Sequence, residues 1–139
     1  GLAVTIDVGD RYDIHPTNKQ EVGRRLALEA RRLDSQAVAR SLQPEGVRRA
    51  GGDIRVRYAD GAGLMIMGSN RPVGFQLCDA GEDCRFVDAA LEGGEIVLAG
   101  ARPTDAKVRF CWGDSPLCNL YGPAGLPPSP FELAAPAQE

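Results

Sequence analysis

Hydrophobic and polar positions follow two different periods along the chain, and the periods separate a helical beginning from a β-rich middle. Residues 2–8 form an apolar run that predicts a buried strand, and residues 17–33 carry apolar positions at helical spacing. From residue 54 onward, apolar and polar positions alternate, which is typical of half-buried strands. We therefore predict a strand, a loop and a helix, followed by a module of short strands.

The predicted helix is amphipathic. Its expected apolar face consists of Val22, Leu26, Ala30 and Leu33. Thr17 and Gln20 are spaced as in a capping box, so we expect the helix to start there. The opposite surface is expected to be solvated, and it carries Arg24, Arg25, Glu29, Arg31 and Arg32.

The β-rich part shows strict alternation at two places, where Ile54, Val56 and Tyr58, and later Val108, Phe110 and Trp112, share a face. Shorter strand candidates are residues 64–67, 75–78, 85–89 and 95–98, and turn signals are Gly51-Gly52, Asp60-Gly61 and Gly93-Gly94. Because no helix separates these strands, the pattern predicts a small antiparallel sandwich or meander and excludes a second βαβ unit there.

The organisation follows from these patterns. Residues 1–33 form the strand-helix piece, residues 34–46 a linker with weak helical character at 37–42, residues 47–121 the β module and residues 122–139 a Pro/Gly-rich tail. One parallel-type strand and one helix cannot bury their own faces. The chain also begins directly in the predicted strand, without an initiator methionine. We therefore expect it to be a piece of a longer protein whose remainder completes an α/β domain.

Composition narrows the class of protein. With 139 residues, 43% hydrophobic and 25% charged, the chain is an ordinary globular sequence. Its net charge of −3 gives little support for nucleic-acid binding. No apolar run approaches the roughly 20 residues of a membrane span, so we expect no membrane association. No cofactor is expected.

The four cysteines form two local pairs, Cys78 with Cys84 and Cys111 with Cys118. Their spacing favours two short-loop disulfides over buried free thiols. A metal site is not expected, because no Cys-x-x-Cys spacing occurs and the one histidine is distant in sequence. Disulfides imply an oxidising compartment, so we expect export to a periplasm or beyond.

The only histidine lies in Asp13-Ile14-His15-Pro16, between the predicted strand and helix. An imidazole can exchange a proton near neutral pH, and ligands of α/β sheets collect beyond the carboxyl ends of strands. A lone loop histidine is more commonly a surface or structural residue, so this local pattern alone does not establish catalysis.

Two longer strings carry more information. The first comprises residues 5–10, 13–19 and 22–28, and the second comprises residues 112–116, 119–121 and 125–131. Together they resemble the C-terminal block and closing segment of sialate O-acetylesterase-like carbohydrate esterases of the SGNH hydrolase superfamily. The resemblance implies an α/β plus all-β architecture, in which the strand-helix piece ends a flavodoxin-like hydrolase domain and a small antiparallel β-sandwich follows it.

The resemblance also implies residue roles. His15 is the expected general base of a serine esterase, and an acid orients it. The superfamily pattern is Asp-x-x-His, but Tyr12 stands three residues before His15. Asp13 is therefore our first choice for the orienting acid, followed by Asp10 and Asp7.

The nucleophilic serine is expected outside this chain. Gly113-Asp114-Ser115 spells a Gly-Asp-Ser nucleophile block, but it lies downstream of His15 and before Pro116, so we interpret it as a coincidence. The isolated chain is expected to be inactive.

Trp112, Asn119 and Tyr121 are candidates for a carbohydrate-facing edge, although the alternation favours the core for Trp112. The 125–131 segment is expected to strap back across the catalytic domain.

The leading hypothesis is a carbohydrate O-acetylesterase that removes acetyl groups from sialic acid or a plant polysaccharide. Its expected partners are the acetylated carbohydrate and the N-terminal remainder of the same esterase. The alternative is a noncatalytic carbohydrate-binding or interdomain β-sandwich module.

Overall fold

The computed structural model describes residues 1–35 and 37–137, which contain one α-helix, one 3-10 turn at Gly61–Gly63 and ten strands. The helix is α1 (Lys19–Arg31). The strands are β1 (Pro44–Ala50), β2 (Asp53–Tyr58), β3 (Met65–Ile66), β4 (Phe75–Asp79), β5 (Cys84–Phe86), β6 (Ala89–Glu92), β7 (Glu95–Leu98), β8 (Asp105–Phe110), β9 (Leu120–Tyr121) and β10 (Phe131–Ala134).

The strands form two four-stranded sheets and a short two-stranded one. The orders are β1-β2-β7-β6, β10-β8-β4-β5 and β3-β9, and every pairing is antiparallel. The expected antiparallel β-rich module is therefore confirmed. The predicted glycine turns join β1 to β2 and β6 to β7, where Gly51, Gly93 and Gly94 take the left-handed φ that glycine tolerates best.

The core lies between the two larger sheets. Ile54, Val56 and Tyr58 point into it from β2, as the alternation predicts, and the second sheet contributes Phe75 and Phe110. The rings of these two phenylalanines lie 4.6 Å apart, centroid to centroid. Because side chains of both sheets enter one cluster, the module is a face-to-face sandwich.

The sandwich extends beyond its predicted limits at both ends. β1 starts at Pro44, inside the predicted linker, and the tail contributes β10, which pairs with β8. The predicted strand at 85–89 is instead two strands, β5 and β6, that lie in different sheets. The predicted helical character at 37–42 is absent among these residues. Gln36 of the linker and residues 138–139 of the tail lie outside the described residues.

Residues 2–8 do not form the predicted strand. Within the described ranges no β-ladder includes them, and the backbone turns at 6–8. A parallel-type strand requires a neighbouring strand for its hydrogen bonds, and none of the ten described strands pairs with this segment through its backbone. An apolar run alone therefore does not define a strand here.

The helix is confirmed, but its cap and its packed face differ from the prediction. Asn18, not Thr17, caps it by accepting a hydrogen bond from the Glu21 N–H at 3.2 Å. Leu26 and Leu33 of the expected apolar face are 56% and 81% exposed. The helix instead packs through residues of its charged face.

The tail crosses the sandwich before it enters β10. Residues 126–129 are buried, and the Ser129 N–H donates to the carbonyl of Leu42 at 3.1 Å. Gln43 donates to the Ser129 hydroxyl from the same connection. The strap thus packs on the segment that leads into β1. No helix among the described residues is long and apolar enough to cross a membrane.

Candidate functional site

The loop before α1 places the only imidazole of the chain against a carboxylate. Oδ1 of Asp13 lies 2.9 Å from Nδ1 of His15 and accepts the His15 backbone N–H at 2.8 Å. The two-residue spacing forms a tight side-chain-to-backbone turn, which holds both groups together. With Nδ1 donating to the carboxylate, Nε2 is the nitrogen that can take a proton from an alcohol.

The pair lies on an exposed loop. The His15 side chain is 77% exposed, and it lines neither of the two cavities described below. The backbone N–H of His15, followed by its ring, lowers the pKa of the Asp13 carboxyl by hydrogen bonding to its charged form. Asp13 therefore stays ionised and can stabilise a protonated imidazole.

The two other candidate acids are engaged elsewhere. Oδ1 of Asp10 accepts the Tyr12 N–H at 2.8 Å, and Asp7 pairs with Arg25. Among the three candidates, the structure brings Asp13 alone within hydrogen-bonding distance of His15. The geometry thus favours Asp13 as the orienting group.

Asp7 and Arg25 form the centre of a buried cluster, the Asp7–Arg25 clamp, that joins three parts of the chain. The guanidinium donates to both carboxylate oxygens of Asp7, at 2.5 and 2.8 Å, and to the Val4 carbonyl at 2.7 Å. It also donates to Glu21 on its own helix at 2.7 Å. The Tyr121 hydroxyl of β9 donates to Asp7 at 3.2 Å. The clamp therefore ties the root of the His15 loop to α1 and to the sandwich.

The prediction of a solvated arginine face is wrong for Arg25, which is only 4% exposed. Its hydrogen bond to Asp7 raises the pKa of this guanidinium further above its ordinary value. Burial and the Asp7 charge raise the pKa of the Tyr121 phenol. The paired charges of Asp7 and Arg25 were visible in the sequence, but their contact depends on the tertiary fold.

The three predicted sugar-facing residues have different surroundings. Tyr121 is part of the clamp. The Asn119 amide holds the neighbouring loop, since it accepts the Val73 N–H at 2.9 Å and donates to the Arg71 carbonyl at 2.9 Å. Trp112 is 50% exposed, so the preference for the core is wrong. β8 ends at Phe110, and Cys111 takes a φ of 47°, which breaks the alternation before Trp112.

Two adjoining cavities border this tryptophan and the N-terminal loop. The first, of about 690 Å³, lies between Trp112, Phe86 and Val73. The second, of about 490 Å³, lies between Asp7, Asp10 and Tyr121. Residues 113–117, with the exposed Ser115, and Arg11 line both cavities.

Both cysteine pairs are disulfides, as predicted. Cys78–Cys84 links β4 to β5, and Cys111–Cys118 closes the 112–117 loop. Gly74 lies against the second disulfide with a φ of 95°, and a Cβ there would meet the Cys111 sulfur at 2.8 Å. Among the described residues, no three metal-ligating side chains cluster.

The chain is similar in structure to XAC1771, a carbohydrate acetylesterase from Xanthomonas citri. The TM-score is 0.80 at 30% sequence identity, over 94% of this chain and 32% of that esterase. The chain thus spans about a third of the length of the esterase that it matches. No protein-family model and no curated protein sequence matches the chain.

Proposed function

We propose that this chain is the C-terminal portion of a serine carbohydrate O-acetylesterase of the SGNH type, and that it supplies the catalytic base. The observation that carries the proposal is the contact of the Asp13 carboxylate with Nδ1 of His15. The structural similarity to part of a carbohydrate acetylesterase gives it a reaction and a substrate class.

In the proposed reaction, Nε2 of His15 takes the proton of a serine hydroxyl on another part of the polypeptide while the serine oxygen attacks the acetyl carbonyl. The imidazolium then gives that proton to the departing sugar oxygen, which leaves an acetyl-serine. Water, deprotonated by His15, attacks the acetyl-serine carbonyl, and the imidazolium returns that proton to the serine oxygen as the acyl C–O bond breaks and acetate leaves. Asp13 holds the ring and balances its positive charge, and the donors for the oxyanion come from outside the chain.

Exposed side chains near His15 support the proposal that another part of the esterase contacts this chain. Ile14 and Tyr12 are exposed beside it, and Leu26 of α1 and Leu33, two residues beyond the end of the helix, are also exposed. Large apolar side chains left exposed are candidates for a contact surface. We assign this surface to the N-terminal remainder of the esterase, a flavodoxin-like domain that carries the serine.

The compartment and the sugar belong to the same proposal. Two disulfides fit an exported protein, periplasmic or secreted. Sialic acid and plant polysaccharide units are the two substrate alternatives, and acetate release from each separates them.

Activity of the polypeptide that joins this chain to its upstream domain tests the proposal. Asp13→Asn should lower kcat by about 100-fold or more with little change in KM, because the ring loses its orienting charge. Asp34→Asn, an exposed change near the end of α1, is the matched control and should leave kcat unchanged.

Two outcomes contradict the proposal. Acetate release by the 139-residue chain alone would place the nucleophile within it, with Ser115 as the first candidate. A larger loss of kcat in Asp10→Asn than in Asp13→Asn would transfer the orienting role to Asp10.

A further inference from the structure

Several large apolar side chains that the sandwich leaves exposed gather around one cavity. The cavity of about 690 Å³ is lined by Phe86, Trp112, Val73 and Leu117, all of them exposed. Isolated exposed apolar residues are common, but a group around one concave surface is characteristic of a binding site. None of these four residues belongs to the His15–Asp13 pair or to the clamp.

The Trp112 ring of this cavity contacts a cation whose position is fixed. The Arg109 guanidinium carbon lies 5.6 Å from the ring centroid, a cation–π distance. Arg109 in turn donates to Glu132 at 2.6 Å and also to Glu82, so its own position is set by two carboxylates. The ring is therefore a preorganised flat surface, and the protein loses little conformational entropy when a ligand stacks on it.

The rim of the cavity is polar. The Arg71 guanidinium lies 3.6 Å from the Asp88 carboxylate, with both side chains exposed, and Arg11 and Asp114 line the same cavity. These groups offer hydrogen-bond donors and acceptors of both charge signs around an apolar floor. A neutral sugar fits this combination, because a pyranose has C–H faces for the aromatic rings and hydroxyls for the rim.

The cavity also continues toward the loop that carries His15. Residues 113–117 and Arg11 form a wall shared with the second cavity, which Asp10 also lines. A chain of several sugars could therefore contact Trp112 and pass along this wall toward the loop of residues 9–16.

We propose that this groove, lined by Phe86 and Trp112, is a subsite for a neutral pyranose oligosaccharide. The sandwich then holds the glycan whose acetylated unit reaches His15. The link to acetyl transfer rests on the proposed function, but glycan binding at the groove can be measured without catalysis.

Trp112 is the only tryptophan of the chain, so its fluorescence reports on the groove directly. Titration with xylohexaose or cellohexaose should give a saturable change in emission, with a Kd between about 10 µM and 1 mM. Sialyllactose, an acidic glycan, should give no saturation. Phe86→Ala should weaken the affinity by about fivefold or more, since one stacking surface is lost.

Two further variants complete the test. Trp112→Ala should abolish the heat of binding in calorimetry. Met67→Ala removes an apolar side chain that is 58% exposed, against 50% for Trp112, and that does not line the groove, so it should leave the Kd unchanged. Both substitutions alter exposed side chains, and circular dichroism checks that the sandwich is intact.

The inference is overturned if neither neutral hexasaccharide changes the Trp112 emission. It is also overturned if, in the joined polypeptide without glycan, acrylamide cannot quench Trp112, because the groove is then an internal packing surface. Acetate release without glycan binding at Trp112 would contradict the proposed subsite but not the proposed esterase function. Glycan binding without acetate release would support the proposed subsite and contradict the proposed esterase function.

Discussion

The Tyr58 hydroxyl lies in the sandwich core without a hydrogen-bond partner among the described residues. Burial away from water raises the pKa of this phenol, because the charged form is poorly solvated there. The Tyr121 hydroxyl is the opposite case, since it donates to the buried Asp7 carboxylate. The two tyrosine hydroxyls should therefore contribute differently to the free energy of unfolding.

Removing each hydroxyl should show this difference. Tyr58→Phe should leave the free energy of unfolding unchanged or raise it by up to about 1 kcal/mol, because no hydrogen bond is lost. Tyr121→Phe should lower it by about 1 kcal/mol, since Asp7 loses a donor. Urea unfolding of the two variants measures both, and a clear loss of stability in Tyr58→Phe would contradict this account of the core.

At this scale, the alternation in the sequence predicts the burial of Tyr58 but not the exposure of Trp112. Tyr58 continues a regular strand, whereas Trp112 follows a non-glycine residue, Cys111, with positive φ. Few residues other than glycine adopt that conformation, and alternation gives no sign of it.

At the scale of elements, α1 is held by its charged face. Arg25 is buried and hydrogen-bonded to Asp7, Glu21 and the Val4 carbonyl, whereas Arg24, one residue earlier, pairs with Glu21 and is half exposed. A buried ion pair contributes little net stability when intact. Removal of one partner is nevertheless strongly destabilising, because the other charge stays buried without compensation.

Adjacent arginines provide the matched test. Arg25→Ala should lower the free energy of unfolding by about 3 kcal/mol, because Asp7 stays buried without its partner. Arg24→Ala should leave stability almost unchanged, since an exposed ion pair contributes little. Equal effects of the two substitutions on the urea midpoint would show that the clamp does not hold the helix.

Helical spacing predicts α1 to within two residues at each end, but it does not identify the packed face. That face is set by Asp7, 18 residues before Arg25, and by Tyr121, which is 114 residues from Asp7. The spacing of apolar residues in one element carries no information about such distant partners. Leu26 and Leu33 indicate a surface that this chain leaves uncovered.

At the scale of the whole molecule, carboxylates paired with arginine or lysine tie the elements together. Hydrogen bonds from Arg24 and Arg25 lower the pKa of Glu21 to about 2, and a hydrogen bond from Arg85 lowers the pKa of the buried Asp105. A carboxyl with a lowered folded-state pKa stabilises the fold above its unfolded-state pKa. That contribution is lost as the pH falls through the folded-state value.

The Tm should therefore be nearly constant above about pH 5 and fall steadily between about pH 5 and pH 2. Glu21→Gln should make this fall shallower, whereas Asp34→Asn should not. Calorimetry across this range measures the slope, and an equal slope in wild type and Glu21→Gln would contradict the assignment.

Each disulfide adds a covalent link. Cys78–Cys84 joins two strands of the second sheet, and Cys111–Cys118 closes the loop that follows β8. Alkylation of the unfolded chain without reductant should modify none of the four cysteines, as read by mass. Modification of all four would show that the disulfides are absent, and the argument for export would then fail.

The antiparallel module could be predicted from the sequence because alternation and glycine turns are local signals. The place of β10 could not, because its pairing with β8 depends on a tail that first crosses Leu42. The pair proposed for catalysis, His15 with Asp13, can be found from its spacing in the sequence. The groove at Trp112 cannot, because it forms only when distant strands and loops are brought together.

The most direct measurement is acetate release by the joined esterase with His15→Ala. Our account predicts that kcat falls by about 1,000-fold or more while the protein keeps its Tm, because the base is removed from an exposed loop. Unchanged kcat in this variant would contradict the central claim that His15 deprotonates the attacking serine.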